Sequence, residues 1–237
     1  MIKCTVCLAE NDDFAITCPS CKAFLQNRVP NLDLFDIGWR VLDSPRKAFR
    51  TITIADHKNY ALLLFTLFGI SLSFTGFWYF RLGTQFASLL DLMPAAVGVG
   101  IVLGLVASVF ITAVYYAFAK LFGGASGFRG SLGVLGYCLT PIALSLFIVL
   151  PIELLTFGMF LFTSNPHPYA IKPVSYMLLV GFDVVVSLWS IALAVLGTQV
   201  GHRISLVKSI AVVLATLGVF FGAIFLVAQQ LHLTDRV

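Results

Sequence analysis

Long apolar runs separated by short polar segments dominate the chain after its N-terminal quarter. The runs cover residues 60–80, 94–118, 132–152, 175–200 and 209–228. As an α-helix, the first run reaches about 31 Å, which matches a hydrocarbon core of about 30 Å. Because each run is long enough to cross a bilayer, the pattern predicts an all-α integral membrane protein whose five spans form a helical bundle.

The third apolar stretch is longer than a single crossing needs. It covers residues 132–162 and contains Pro141 and Pro151, whereas two full crossings need about 40 residues. We therefore expect a span over 132–152 that is kinked by proline. The sequence LLTFGMFLF after Glu153 is predicted to be an interfacial or re-entrant continuation.

The composition agrees with a chain that lies mostly in lipid. Hydrophobic residues make up 59% of the 237 and charged residues 11%, and the mean hydropathy is +0.97. A soluble domain has about a quarter of its residues charged. The net charge of +4 is too small to indicate a nucleic-acid partner, so we expect the lipid bilayer as the main partner and no nucleic acid.

Two C-x-x-C pairs open the chain, and their members are Cys4, Cys7, Cys18 and Cys21. Four thiolates at this spacing are typical of a tetrahedral metal site in which each pair lies on a tight turn. Because a segment of about 25 residues has almost no core, the metal would supply most of its folding free energy. We predict a zinc ribbon with structural zinc over residues 1–27. A rubredoxin-like iron site, a redox dithiol and two disulfides are the alternatives.

A juxtamembrane amphipathic linker is predicted over residues 28–58, between the ribbon and the first span. Asp36 and Ser44 are expected to cap two short helices. The apolar positions are Phe35, Trp39, Leu42 and Phe49. Because aromatic and basic residues alternate here, the linker is expected to lie on the inner membrane surface. A solvated helix that packs on the loops is the alternative.

Basic residues of this linker are predicted to contact lipid headgroups, namely Arg46, Lys47 and Arg50. The membrane domain then covers residues 59–228, and a C-terminal tail covers 229–237. The fifth cysteine, Cys138, falls inside the third span and is expected to be a small packing residue.

The distribution of lysine and arginine predicts the orientation of the chain. If the N-terminus is cytoplasmic, only Arg81, Lys172 and Arg236 of the fifteen basic residues lie outside. Basic residues favour cytoplasmic loops, and a thiolate metal site survives in a reducing compartment. Both arguments place the N-terminus in the cytoplasm. Five spans then place the C-terminus on the opposite side.

Two strings of the sequence carry a family resemblance. WRVLDSPRKAFRTI precedes the first span, and KLFGGASGFRGSLGVLGYCLTPIAL leads into the third. Over residues 38–228 the chain resembles the Yip family of multi-pass membrane proteins. The resemblance implies five spans, a cytosolic N-terminus and a role in membrane organisation or vesicle traffic, with eukaryotic members linked to Rab-type GTPases. The cysteine head lies outside this resemblance and resembles heads of bacterial membrane proteins, which implies the bacterial inner membrane.

Small residues recur at four-residue spacing in two spans, and the glycines among them are Gly100, Gly104, Gly218 and Gly222. This spacing lets helix backbones approach closely, so we predict helix-packing faces, either within one chain or in a homo-oligomer. The Gly-rich loop before the third span lacks the Lys-Ser/Thr of a P-loop. It is predicted to be a tight cytoplasmic turn, with Arg129 contacting lipid headgroups.

Asp183 is the acidic residue that lies well inside a span. Because an unpaired charge at that depth costs at least about 2.5–3.5 kcal/mol, we expect it to be protonated or hydrogen-bonded to a hydroxyl and to face the bundle interior. It is a candidate intramembrane polar site, with either a structural role or a place in a proton or ion pathway.

The sequence favours a function without catalysis. All four histidines fall outside the predicted spans, and none forms H-E-x-x-H or pairs with a nucleophile in a known frame. We therefore expect a non-enzymatic scaffold or membrane-organising factor, with a protein partner at its cytoplasmic head. A small transporter or permease that uses Asp183 is the competing hypothesis.

Overall fold

The protein is described by a computed structural model that covers residues 2–11, 15–25 and 31–230. Parts of the predicted ribbon and linker (12–14 and 26–30) and most of the predicted tail (231–237) lie outside the described residues. The elements within the described ranges are β1 (Ile2–Lys3), β2 (Glu10–Asn11), α1 (Leu34–Asp43), α2 (Pro45–Ile54), α3 (Ala61–Tyr79), α4 (Leu89–Leu121), α5 (Phe128–Cys138), α6 (Thr140–Phe157), α7 (Pro168–Ile171), α8 (Pro173–His202) and α9 (Leu206–Gln230).

Within residues 2–11, 15–25 and 31–230, five segments are long and apolar enough to cross a membrane, namely α3, α4, α5 with α6, α8 and α9. This confirms the all-α five-span fold. Among the five spans, the second differs most from its predicted start, since α4 begins at Leu89 rather than at Pro94. Ser88 donates a hydrogen bond to the Asp91 carboxylate at 2.7 Å, which stabilises this earlier start.

The third span consists of two helices. α5 ends at Cys138 and α6 begins at Thr140, with Pro141 in the first turn of α6. Because proline has no backbone N–H, it ends the hydrogen bonding of α5, which is the expected kink. α6 then continues through Pro151 to Phe157.

The segment after Glu153 was predicted to be an interfacial or re-entrant continuation of the span, and its place relative to the membrane stays a prediction. Its first residues belong to α6, and a 3-10 turn follows at Gly158–Phe162. Phe162 is fully buried and packs in one apolar cluster with Phe74 of α3 and Leu92 of α4. The segment therefore closes the bundle at the end opposite the linker helix α2.

The spans form a ring of neighbouring helices. α3 packs on α4, α4 on α9, α9 on α8, α8 on α6, and α6 on α3. The centre of the bundle is therefore lined by all five spans.

Glycines bring α3 and α4 into backbone contact. A methyl group at Gly104 would lie 2.5 Å from the Phe65 carbonyl oxygen and 2.6 Å from the Thr66 Cα, and one at Gly100 would lie 3.0 Å from the Gly69 carbonyl oxygen. No larger residue fits without moving a helix. Gly100 and Gly104 therefore form a helix-packing face within the chain.

Gly218 and Gly222 of α9 are placed differently. A methyl group at either position would meet nothing within 4 Å among the described residues. These two glycines do not bring helices together inside the chain, so a contact between copies stays a prediction for them.

The linker forms two helices that pack on the bundle. α2 buries Ala48, Phe49 and Ile52, and it contacts α5 and α8. Phe49, predicted to face the membrane surface, is fully buried, because the apolar face of α2 is turned to the protein. Phe35 and Trp39 of α1 are 85% and 71% exposed.

The N-terminal cap of α1 also differs from the prediction. Asp33, not Asp36, caps this helix, because its carboxylate accepts a hydrogen bond from the Asp36 backbone N–H at 2.8 Å. Asp36 lies in the first turn and pairs with Arg40 at 2.9 Å. Ser44 precedes α2 as predicted, without a side-chain cap bond, and Pro45 opens that helix.

Candidate functional site

The sulfur atoms of the four N-terminal cysteines lie close together in the head. Cys4 Sγ is 3.5 Å from Cys21 Sγ, and Cys7 Sγ is 3.6 Å from Cys18 Sγ. All four lie within 4.8 Å of one another. Four thiolates bound to one zinc ion at 2.3 Å would be about 3.8 Å apart. The cluster therefore has the donor set and the size of a tetrahedral metal site.

The two cysteine pairs lie on equivalent backbone turns. In the first turn the Cys4 N–H donates to Ala9 O at 2.9 Å and the Leu8 N–H donates to Cys4 O at 3.0 Å. The second turn repeats both hydrogen bonds one motif later, from Cys18 to Ala23 and from Lys22 to Cys18. Leu8 and Lys22 both have positive φ, 57° and 60°. Two copies of one turn thus face each other across the site.

Short strand pairings close each turn. β1 pairs with β2 in antiparallel register, Ile2 opposite Asn11, around the first cysteine pair. A single bridge joins Thr17 to Phe24 around the second pair. Glu10 belongs to β2, because the chain turns back within each cysteine pair rather than between the pairs.

Backbone amides act on the thiols before any metal binds. The Cys21 backbone N–H lowers the pKa of the Cys18 thiol to about 6, and the Cys7 backbone N–H lowers the pKa of Cys4. The Ala9 backbone N–H favours the Cys7 thiolate, but neighbouring thiols, first that of Cys21, raise its pKa to about 12. Four thiolates this close repel one another, so a bound cation is needed to hold them all ionised.

Apolar side chains surround the cysteines on the outside of the head. Cys4 and Cys18 are buried, whereas Cys7 and Cys21 are exposed. Val6, Leu8 and Phe24 are all more than half exposed. We call these three residues the head surface. Three exposed apolar side chains in a head of about 25 residues make the head surface a candidate contact area.

Asp183 makes the hydrogen bond to a hydroxyl that the sequence predicts. The Ser145 hydroxyl of α6 donates to Asp183 Oδ1 at 2.8 Å. Glu153 lines the same cavity as Asp183, together with Trp78. The kink at Pro141 is followed by a continuous helix, which places Ser145 and Glu153 two turns apart on the side of α6 that faces α8.

Polar groups missed by the sequence pattern lie at the N-terminal-head end of the bundle. His202 was expected outside the spans but is the last residue of α8 and is fully buried. Its Nε2 lies 3.1 Å from the Ser131 hydroxyl. Tyr115 is also fully buried, and its hydroxyl lies 2.9 Å from Thr198 Oγ1. The hydroxyl residues of α8 that precede His202 in the sequence were the signal that could have indicated this polar group.

The Gly-rich loop forms a tight turn between α4 and α5. Gly123 has φ +85°, a conformation that favours glycine. The Ala125 N–H donates to His202 O at 3.0 Å, and a methyl group at Gly124 would lie 2.8 Å from Ala119 O. The loop that joins the second and third spans is therefore hydrogen-bonded to the C-terminal end of α8.

The residues predicted to contact lipid headgroups lie at the surface of the protein. Arg46, Lys47, Arg50 and Arg129 are all exposed. The first three lie on α2, and Arg129 lies in the first turn of α5 after the Gly-rich loop.

Cys138, predicted to be a packing residue, is buried in the apolar cluster that includes Phe49 and Val134.

Comparison with known proteins gives one match. A family model described as the Yip1 domain matches residues 39–228. The match extends from α1 through all five spans to α9 and leaves out the cysteine head. No curated protein and no solved structure matches the chain.

Proposed function

Because the chain belongs to the Yip1 domain family over residues 39–228, we propose that it is a non-enzymatic scaffold that organises membranes or membrane traffic. The family match is the observation that carries this proposal. It covers the second half of α1, all of α2 and the five spans as far as residue 228 of α9, so the membrane body corresponds to the family's domain. The head is an addition to that body.

The head contributes a structural metal and a contact surface. Zinc is the metal that a closed site of four cysteine thiolates favours, since structural zinc sites are tetrahedral and have no open position. With zinc bound, the two cysteine turns would form one rigid unit. The head surface of Val6, Leu8 and Phe24 would then be presented for a protein partner.

The N-terminal head would lie in the cytoplasm of a bacterial cell, at the inner membrane. The excess of lysine and arginine in the head and in the loops on its side supports this orientation. Exposed Arg46, Lys47 and Arg129 are suited to anionic headgroups of the cytoplasmic leaflet. Phe35 and Trp39 on α1 would enter the same interface.

The competing function, a small permease, rests on Asp183 and its hydrogen bond to Ser145. The Asp183→Asn variant separates the two functions. Reconstituted in vesicles, the wild type and D183N are expected to show the same low permeability to protons and monovalent cations. Asp91→Asn, a change at an exposed acid, is the matched control. Normal assembly of D183N combined with loss of a wild-type flux would overturn the scaffold proposal.

A further inference from the structure

The centre of the bundle contains a cleft made of two adjoining chambers. The acidic chamber has a volume of about 340 Å³ and contains Asp183 and Glu153. The apolar chamber has a volume of about 280 Å³ and is lined by residues of all five spans. The chambers share four wall residues, Ser71, Thr75, Ile142 and Ser187. Together they have the size of a pocket for a small ligand.

The acidic chamber lacks positive charge. Two carboxyl groups line it, and no lysine or arginine does so among the residues that the structure describes. Unbalanced acids inside a membrane are costly, so this chamber is complementary to a cationic group.

The apolar chamber has a different chemistry. Its walls are mostly aliphatic and aromatic, as at Phe65, Leu72 and Leu217. Ser190 is a polar exception in this lining, 95% buried, and its hydroxyl has no partner in the described part of the chain. A buried hydroxyl without a partner costs free energy. Such a group in a chamber wall indicates a bound molecule or water.

The cleft has exposed wall residues within the depth of the membrane spans. Thr75 of α3 and Ser187 of α8, both on the shared wall, are exposed, and both lie within membrane spans. Entry of a molecule from the bilayer is the route that this exposure favours.

We propose that the cleft binds a single-chain amphiphile whose polar end is a protonated amine. The amine meets the Asp183 and Glu153 carboxyl groups, and the hydrocarbon chain passes Ile142 into the apolar chamber. An anionic head is excluded by charge, and a neutral hydroxyl head lacks the charge-assisted hydrogen bond. The inference does not depend on the scaffold function, because a scaffold or a permease could hold such a molecule.

The test compares three probes of equal chain length, namely dodecylamine, dodecanol and dodecanoate. Their binding to the full-length protein is measured by native mass spectrometry and thermal shift in nanodiscs of zwitterionic lipid. Dodecylamine is expected to bind about tenfold or more tightly than dodecanol, and dodecanoate more weakly than both. Equal binding of the three probes to the wild-type protein would overturn the proposal, whatever the variants show.

Variants locate the binding site. The change D183N combined with Glu153→Gln is expected to remove the preference for the amine, and Ser190→Leu is expected to lower the affinity for dodecylamine by filling the apolar chamber. D91N is the matched control and should bind like the wild type. An amine preference that survives both the acid changes and Ser190→Leu would place the binding elsewhere and contradict the proposal.

Discussion

At the residue scale, the geometry of the cysteine cluster involves backbone groups as well as the four cysteines. The C-x-x-C spacing predicts the four ligands, and the structure brings their sulfur atoms within 4.8 Å. The C-x-x-C spacing does not predict that Leu8 and Lys22 adopt positive φ. Those two conformations are uncommon for residues other than glycine, so sequence patterns give no signal for them. The amide of Ala9, which directly follows Leu8, is the one that favours the Cys7 thiolate.

Cys18→Ser is expected to abolish stoichiometric metal binding and to unfold the head. The reason is that three thiolates leave an open coordination position, and the head has almost no core to replace the lost metal energy. Metal content of the purified protein and hydrogen exchange at Ile16 to Leu25 measure the two effects. Cys138→Ser, at a cysteine buried in the bundle, is the control. Full metal content in C18S would rule out the four-cysteine site.

Gly104→Ala is expected to destabilise the bundle by about 1–3 kcal/mol, since the added methyl group meets the α3 backbone and forces the helices apart. Gly218→Ala, with open space around it, is expected to change stability by less than about 1 kcal/mol. Unfolding of both variants in the same bicelles measures the difference. Equal stability of the two would disprove the backbone contact between α3 and α4.

At the element scale, helix existence is predictable and helix partners are not. The apolar runs predict all five spans because lipid requires a length that few soluble helices reach. The destination of the α2 apolar face is not predictable, since Phe49 suits a membrane surface and a protein groove equally well. A glycine of α8 determines where this apolar face packs. A methyl group at Gly197 would lie 3.0 Å from the Phe49 ring, so Phe49 packs in the space that this glycine leaves.

Phe49→Ala is expected to lower the free energy of unfolding by about 3–5 kcal/mol, because it empties a fully buried site between α2, α5 and α8. Phe35→Ala is the matched change at a Phe that is 85% exposed, and it should stay within about 0.5 kcal/mol. Denaturant titration in the same detergent compares the two. A similar loss in both would mean that α2 does not dock on the bundle.

At the scale of the whole molecule, the ring of spans creates the features that sequence reasoning could not locate. Asp183 is recognisable as an intramembrane acid, but its neighbour Glu153 lies 30 positions away and on another helix, and nothing in the pattern joins them. The central cleft likewise depends on α3, α6, α8 and α9 leaving space between them. Such distances depend on packing, which periodicity does not encode.

An odd number of spans predicts opposite labelling at the two ends of the bundle. Cysteine introduced at Leu90, which is 83% exposed at the start of α4, should react with a membrane-impermeant maleimide in intact cells. Cysteine introduced at Phe35 should react only after the cells are opened. The reverse pattern would invert the orientation and place the cysteine head outside the cell.

The scaffold account is tested most directly by photo-crosslinking from the head in living cells. A photoreactive residue at Leu8 of the full-length protein, 75% exposed on the head surface, is compared with one at the similarly exposed Leu90 on the opposite side. We predict a discrete cross-link to another membrane protein from Leu8, lost in Cys18→Ser and absent from Leu90. No cross-link from Leu8, or one that is unchanged when Cys18→Ser removes the metal, would contradict the account.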